Sequence, residues 1–275
     1  MHVFRLRGNF EALDIYSAAL FELGARGLEE KPGEVWAYFP ERIELPFPGE
    51  WQELPDTDWL EAYKRDLQPV RAGPFVVLAP WHTWEGPEKP IVIEPGMAFG
   101  TGHHETTRMA LETLAERVEP GMRVLDLGTG SGILAIGAAL LGAEALGIDI
   151  DPAVIPQAIE NARRNQVKVQ FQVGSLDEAY DPLAETAPQA PPTQPAPTPL
   201  VQGPFDLVVA NLYAELHTYF AQKYRELFGI CGTLILTGIL AEREGIVTSA
   251  LEAAGFGLLA RRQESEWVCL TYAAR

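Results

Sequence analysis

A glycine-rich run that directly follows an apolar stretch is the segment of this sequence best suited to bind a charged small molecule. It reads Arg123-Val-Leu-Asp-Leu-Gly-Thr-Gly-Ser-Gly-Ile-Leu-Ala-Ile136, with an acid at 126 and glycines at 128, 130 and 132. Glycine lets the backbone turn sharply and approach a ligand. The spacing is G-x-G-x-G, whereas dinucleotide-binding loops have G-x-G-x-x-G and place a pyrophosphate at a helix N-terminus. Because Asp126 would repel a diphosphate and attract a cationic amine, the run predicts S-adenosylmethionine, bound by Asp126, Gly128 and Gly130.

A second acid, Asp149, ends the apolar run Ala-Leu-Gly-Ile-Asp. It follows Asp126 at close to the ~20-residue interval at which a carboxylate meets ribose hydroxyls. Two hydroxyls donating to one carboxylate form a charge-assisted pair of hydrogen bonds. We therefore predict that Asp149 binds the cofactor, the alternative being a solvated acid at a strand end. Asp151, followed by proline, is interpreted as a helix N-cap.

An amide side chain, Asn211, ends a third apolar run, Phe205-Asp-Leu-Val-Val-Ala-Asn211. Ligands of open α/β sheets bind beyond the carboxyl ends of the strands, so Asn211 is expected to face the reactive end of the cofactor. Its side-chain oxygen and a nearby backbone carbonyl would accept hydrogen bonds from an incoming amine. Asn211 and Leu212 are the predicted catalytic residues. The alternative for Asn211 is a cap on the following helix.

An upstream run, Glu94 to Arg108, has glycines at 96, 100 and 102 and two threonines at 106 and 107. We predict a loop that folds over a bound ligand and leads into a helix. His103 and His104 lie in the same run. Adjacent histidines project in different directions and no carboxylate-histidine spacing accompanies them, so no metal site is predicted.

The elements that position these residues alternate between apolar strand-like runs and helical patterns. Strands are predicted at 124–126, 145–149, 167–173, 206–210 and 233–237, and helices at 133–141, 152–165 and 216–227. Near-continuous apolar strands separated by helices indicate a parallel sheet covered on both faces, which is a Rossmann-like α/β fold. The last two runs, 256–260 and 267–272, have no helix between them and predict an antiparallel hairpin at the sheet edge.

Two further segments precede or interrupt this pattern. Residues 1–57 predict a small ferredoxin-like α+β domain, with a strand at 3–6, a helix whose apolar side spans 10–21 and which ends at Gly24, and two strands at 26–30 and 34–39. Residues 58–69 predict a linker helix with Asp58 as its N-cap. Residues 177–204 are rich in proline, alanine and threonine, which indicates an insertion without a packed core.

The charge composition of the chain restricts the classes of molecule that it is expected to bind. The chain has 21 Lys and Arg against 38 Asp and Glu, a net charge of -17, which disfavours a nucleic-acid substrate. The acidity suits a cationic partner or simply solubility. No apolar run is long enough for a membrane span, and no signal peptide is recognised, so a cytoplasmic protein is expected. The protein is also expected to be a monomer. Cys231 and Cys269 lie in apolar stretches and are predicted to be buried.

Four runs, at 94–107, 126–136, 147–152 and 210–216, together resemble the bacterial methyltransferase family of large-subunit ribosomal protein eleven. The resemblance implies a class I S-adenosylmethionine-dependent methyltransferase domain at 70–275. It also implies trimethylation of lysine side-chain and N-terminal amines of that ribosomal protein, free or on the ribosome, with residues 1–57 recognising the substrate. The cofactor contacts that it implies are Thr107, Gly128, Asp149 and Asn211. Phe99, Gly100 and Thr106, from the same upstream run, complete the predicted contacts.

The chemistry requires alignment more than acid-base groups, because a sulfonium is already an activated methyl donor. Desolvation lowers the pKa of an amine and favours the neutral nucleophile, and Phe99, Leu212 and Tyr213 are candidates for the apolar mouth. No dedicated base is predicted. One alternative, methylation of an amide or nucleobase nitrogen, is disfavoured because two prolines are missing after Asn211. The other, a nicotinamide-dependent dehydrogenase or a nucleotide-binding module, is disfavoured by the glycine spacing.

Overall fold

The structure is a computed structural model that describes residues 2–7, 20, 23–25, 27–31, 34–53, 67–95, 104–177 and 203–274. The chain divides into two compact units, Met1–Gln68 and Pro69–Arg275. The predicted helix at 10–21, the predicted linker helix and the proline-rich segment lie almost entirely outside the described residues. So do Phe99 and Gly100.

The first unit contains a four-stranded antiparallel sheet in the order β2-β3-β1-β4. Its strands are β1 (His2–Arg7), β2 (Gly27–Lys31), β3 (Glu34–Phe39) and β4 (Glu50–Glu53). Burial alternates along β3, which is the pattern of a strand with one face on a core. The first three strands were predicted. The fourth was not predicted, because its short polar sequence shows no alternation. It is held in the sheet by the contacts of Trp51 with the rings of Phe4 and Phe39.

The second unit begins with a small three-stranded sheet that the sequence did not reveal. It consists of β5 (Val70–Ala72), β6 (Phe75–Leu78) and β7 (Lys89–Val92). The first pair is antiparallel and the second is parallel. Buried side chains from β6 and β7 join the same core as the helices on one face of the main sheet.

The main sheet has seven strands in the order β10-β9-β8-β11-β12-β14-β13. They are β8 (Arg123–Leu127), β9 (Glu144–Asp149), β10 (Val169–Val173), β11 (Phe205–Asn211), β12 (Phe228–Leu240), β13 (Phe256–Glu264) and β14 (Trp267–Ala274). Strands β8 to β12 are parallel, and β14 pairs antiparallel with both neighbours. The predicted parallel sheet and C-terminal hairpin are confirmed. The strand order reverses between β8 and β11, and ligands of such sheets bind at that switch point.

Helices cover both faces of this sheet. They are α1 (Glu105–Arg117), α2 (Ile133–Leu140), α3 (Ile155–Arg164), α4 (Ala214–Tyr219), α5 (Ala221–Glu226) and α6 (Glu244–Ala253), with a 3-10 turn at Ala241–Arg243. The first three share a core with one face, and the last three share a core with the other. No helix in the described part of the chain combines the length and apolar character needed to cross a membrane.

Three details differ from the sequence predictions. The predicted helix at 216–227 is two short helices, α4 and α5, which meet at Phe220. Helix α3 begins three residues after Pro152, because Asp151 caps a turn by accepting the backbone N–H of Ala153 instead of capping the helix. Cys231 is exposed, as are the two residues before it in β12, whereas Cys269 is buried as predicted.

Candidate functional site

A cavity of about 560 Å³ opens at the carboxyl ends of β8, β9 and β11. Its walls come from the glycine run after β8, the ends of β9 and β11 and the first turn of α1. Most of the predicted site residues line it: Thr106, Thr107, Gly128, Gly130, Asp149, Asn211 and Leu212. The tertiary structure therefore brings together residues from four separate stretches of the chain.

The glycine loop is fixed against β9, because the amides of Gly128 and Thr129 both donate to the carbonyl of Ile148, at 2.9 Å each. Gly128 has φ +73°, and a Cβ added there would lie 2.6 Å from the Cδ2 atom of Leu212. A side chain at 128 would be strained by this backbone conformation, and the end of the Leu212 side chain would have to shift to admit it. The positive φ is therefore the main reason for a glycine in this position.

Asp126 lies beneath the loop and not on the cavity. Its side chain is 1% exposed. One oxygen, Oδ2, accepts from the Thr129 hydroxyl at 2.7 Å and from the Ala135 amide at 3.0 Å. The other, Oδ1, has no hydrogen-bond partner among the described residues. Burial raises the pKa of this carboxyl to about 7, and the nearby charge of Asp149 acts in the same direction. Asp126 is not among the described residues that line the cavity, and it supports the loop and the start of α2. Its contact with the cofactor ammonium stays a prediction of the sequence.

Asp149 lines the cavity at the end of β9. Its Oδ2 accepts the Gly130 amide at 2.8 Å, and its Oδ1 accepts the Asp151 amide at 3.0 Å. A carboxylate oxygen has two acceptor sites, so both oxygens retain capacity for a ligand hydroxyl. The same contacts tie the glycine loop to the end of the neighbouring strand.

Asn211 is held by α1. Its Nδ2 donates to the Thr106 hydroxyl at 3.3 Å and to the Thr107 hydroxyl at 3.5 Å. The N-cap residue of α4 is Tyr213, so the alternative of Asn211 as a cap for that helix is wrong. With its nitrogen engaged by two hydroxyls, the amide has a defined orientation, and its oxygen is the group left for a ligand.

Gly238, in β12, was not identified from the sequence and lines the same cavity. It has φ +80°, and an added Cβ would lie 2.5 Å from the Leu212 carbonyl oxygen and 2.9 Å from Asn211 Oδ1. Two acceptor oxygens therefore converge on the edge of this glycine. Nothing in its local sequence signals this, because the neighbours come from a strand more than twenty residues away.

His217 is fully buried and contacts the backbone of β12 next to Gly238. Its Nε2 lies 2.9 Å from the Thr237 carbonyl, and its Nδ1 lies 3.0 Å from the Tyr224 hydroxyl. Because a carbonyl only accepts, we assign the proton to Nε2, and the tyrosine donates to Nδ1. Burial lowers the pKa of His217 to about 4, so the ring is neutral. The Leu212 amide donates to the same Thr237 carbonyl at 3.0 Å, which anchors the turn after β11.

Aromatic rings border one side of the cavity. His104 is the N-cap of α1, where its Nδ1 accepts the Thr106 amide. Its ring meets Trp267 edge to face, with centroids 4.9 Å apart. Tyr213 is half exposed at the same cavity. Trp267 was predicted only as part of a strand, since its partner His104 is distant in sequence. Within the described ranges, no three His, Cys, Asp or Glu side chains are grouped to hold a metal ion.

The electrostatics of the cavity identify its class of ligand. Its described lining contains two carboxylates, Asp149 and Asp151, and no lysine or arginine. Such a wall fits a cationic cofactor with ribose hydroxyls and opposes a diphosphate. With a seven-stranded sheet whose switch point lies at this cavity, the fold and site define a class I S-adenosylmethionine-dependent methyltransferase.

Comparison with known proteins specifies the family. Residues 18–275 match the family described as ribosomal protein L11 methyltransferase (PrmA). A Thermus thermophilus protein of that name is 56% identical over 272 residues, covering 99% of each chain. One from Deinococcus radiodurans is 44% identical, covering 97% of this chain and 94% of its own. A solved ribosomal protein L11 methylase from Lactobacillus delbrueckii subsp. bulgaricus superposes with a TM-score of 0.58 at 26% identity, over 72% of this chain and 92% of its own. The chain belongs to the ribosomal protein L11 methyltransferase family, and the resemblance found in the sequence is confirmed.

S-adenosylmethionine is the cofactor of this enzyme. When bound, it supplies a methyl group on a positively charged sulfur, which needs no further activation. The chain itself has to hold the cofactor, bring an acceptor into line and keep water away.

Proposed function

We propose that this enzyme transfers methyl groups from S-adenosylmethionine to the lysine side-chain and N-terminal amines of ribosomal protein L11, and that trimethylated amines result. The enzyme would act on ribosomal protein L11 both free in the cytoplasm and bound to the ribosome. The printed names of the relatives support the identity of the substrate. The chemistry of the site supports an amine as the acceptor.

The observation that best supports an amine as the methyl acceptor is the convergence of two hydrogen-bond acceptor oxygens at Gly238. Asn211 Oδ1 and the Leu212 carbonyl both approach that residue, where an added Cβ would lie 2.9 Å and 2.5 Å from them. An amine presents N–H donors, and two fixed acceptors would orient its lone pair towards the methyl group. We propose Asn211 and Leu212 as the catalytic residues on this basis.

The nucleophile must be a neutral amine, whereas a free lysine has a pKa of about 10.4. Apolar side chains along the cavity, among them Leu212, Phe220 and Trp267, lower the dielectric around an entering amine. Desolvation of the ammonium lowers its pKa and favours loss of the proton to water. We therefore propose that the reaction uses no dedicated general base.

The cofactor contacts are Thr106, Thr107, Gly128, Gly130, Asp149 and Asn211, with Phe99 and Gly100 from outside the described residues. Residues 1–57 form a domain that recognises the ribosomal protein, and residues 58–69 link it to the catalytic domain at 70–275. The acidic chain, with a net charge of -17, suits a basic protein substrate and not a nucleic acid. We propose that it acts as a monomer in the cytoplasm.

The test is incubation with methyl-labelled S-adenosylmethionine and an extract of cells that lack this gene. We expect label on lysines and the N-terminal amine of ribosomal protein L11, located by mass spectrometry. An Asn211→Ala variant is the matched negative control. Label on RNA, or on glutamine of a protein, would overturn the assignment of the substrate.

A further inference from the structure

Helix α3 presents a row of amide side chains to the backbone at the end of β7. The side chains of Gln157, Asn161 and Asn165 follow one another at intervals of four residues, which places them on one face of the helix. Asn165 Oδ1 accepts the Val92 amide and its Nδ2 donates to the Val92 carbonyl, both at 2.7 Å. Asn161 Oδ1 accepts the Glu94 amide at 3.1 Å, and Gln157 Nε2 donates to the Glu94 carbonyl at 2.9 Å.

This row takes the place of a neighbouring strand. On its other side, this stretch is paired with β6, where the Ile93 amide donates to the Leu78 carbonyl at 2.8 Å. Side-chain amides thus satisfy the backbone groups of alternate residues, Val92 and Glu94, on the edge that faces α3. An ion pair between Arg164 and Glu94, at 2.6 Å, adds to the attachment.

Asn161 has a second contact that makes it different from the other two amides. Its Nδ2 donates to the carbonyl of Ser131 in the glycine loop, at 2.9 Å, and the residue is fully buried. A buried amide is costly unless its polar atoms are bonded. An apolar residue would fill this helix position at less cost, as Ala158 and Ala162 do beside it. The amide at 161 therefore serves the two backbone groups that it joins.

We propose that Asn161 is a positioning residue of the cofactor site, which fixes the glycine loop against the segment 92–94. Ser131 directly follows Gly130, whose amide donates to Asp149, so a shift of the Ser131 carbonyl moves the contact that orients the ribose-binding acid. Cofactor affinity then depends on a side chain that is not part of the described cavity lining. The inference rests on the S-adenosylmethionine site of the proposed function and not on which protein is methylated.

The experiment compares the same substitution at two positions of one helix. In its ionised form Asn161→Asp keeps the acceptor for the Glu94 amide and loses the donor to the Ser131 carbonyl, so the measurement is made at a pH above the pKa of the new carboxyl. Asn165→Asp likewise keeps the acceptor for Val92 and loses a donor, but it has no contact with the glycine loop. By calorimetry we expect Asn161→Asp to raise the Kd for S-adenosylmethionine and S-adenosylhomocysteine about tenfold and Asn165→Asp to change it less than about twofold.

A second pair, Asn161→Ser and Asn165→Ser, makes the same comparison without adding charge and applies if the buried aspartate prevents folding. Hydrogen exchange provides an independent readout of the coupling. S-adenosylhomocysteine should slow exchange of the Glu94 amide in the parent enzyme and not in the Asn161 variant. Equal Kd changes at both positions, or equal protection in parent and variant, would overturn the proposal. A wrong protein substrate would leave these binding results intact and show only in the labelling assay.

Discussion

The buried carboxyl of Asp126 should make this protein less stable as the pH rises. The group is fully enclosed, and burial raises its pKa from 3.8 to about 7. A carboxyl with a raised pKa in the folded state contributes fully to stability below its unfolded pKa, and that contribution is lost as the pH rises through the folded pKa. The loss therefore spans about pH 4 to 7 and levels off above it.

Replacement by asparagine removes this dependence. In Asp126→Asn the amide oxygen can still accept from Thr129 and Ala135, and the amide nitrogen occupies the position of the unpartnered Oδ1. The unsatisfied amide nitrogen lowers the free energy of unfolding of the variant by the same amount at every pH. In the parent, the free-energy cost of ionising the buried aspartate increases with pH. One pKa unit corresponds to about 1.4 kcal/mol, so the full difference is about 4 kcal/mol, of which about 2.5 kcal/mol accrues between pH 5 and 8.

Urea unfolding of the parent and the variant at several pH values, without cofactor, measures this difference. Asp151→Asn, at an exposed carboxyl on the same side of the domain, reports the effect of removing one surface charge and is subtracted. The free energy of unfolding of Asp126→Asn should rise relative to the parent as the pH increases. A difference that stays constant within about 1 kcal/mol from pH 5 to 8 would refute the reasoning. Calorimetry on the same variant should show less than a tenfold loss of cofactor affinity, because the carboxyl lies beneath the loop; a larger loss would indicate a direct contact with the ammonium.

Three further substitutions test the site. As the pH falls from 6.5 to 4, the parent should lose about 3 kcal/mol of unfolding free energy, because burial lowers the pKa of the folded His217 to about 4. His217→Gln should remove this loss. Urea unfolding at several pH values measures it, and parallel pH curves for parent and variant would contradict it. Gly238→Ala should lower kcat about 100-fold, because the new Cβ displaces the two acceptor oxygens. Gly245→Ala is the control, since no atom lies within 4 Å of its added Cβ, and it should leave kcat unchanged. Equal effects of the two substitutions would reject the role of Gly238. Asp149→Ala should raise the Kd for S-adenosylmethionine 10- to 100-fold by calorimetry, and Asp151→Ala should have a smaller effect; the reverse order would move the ribose contact to Asp151.

Much of the fold followed from local patterns. The parallel strands β8 to β12 are apolar and separated by helices, and the C-terminal hairpin is marked by two strand-like runs without a helix between them. The short strands could not be predicted from the sequence. Strands β4 to β7 have three or four residues each, too few to establish a period, and each is stabilised by partners elsewhere in the unit. The break between α4 and α5 was missed because the apolar residues run on through Phe220.

The sequence by itself was enough to predict that the glycine loop, Asp149 and Asn211 lie together, because each follows or ends a strand whose carboxyl end must face the ligand side of a parallel sheet, and in the structure all three line one cavity. Residue type and spacing along one short stretch are enough for such an assignment. It also determined the family, through four runs in a recognisable order.

Only the tertiary structure decided which way the groups point and what they touch. It turned Asp126 under the loop, where burial raises its pKa. It brought Gly238 against the acceptors of the turn after β11, and Asn161 between the glycine loop and Glu94. The physical reason is common to all three. Each depends on contacts between residues far apart in the chain, and these contacts exist only once the strands are in register and the helices are packed.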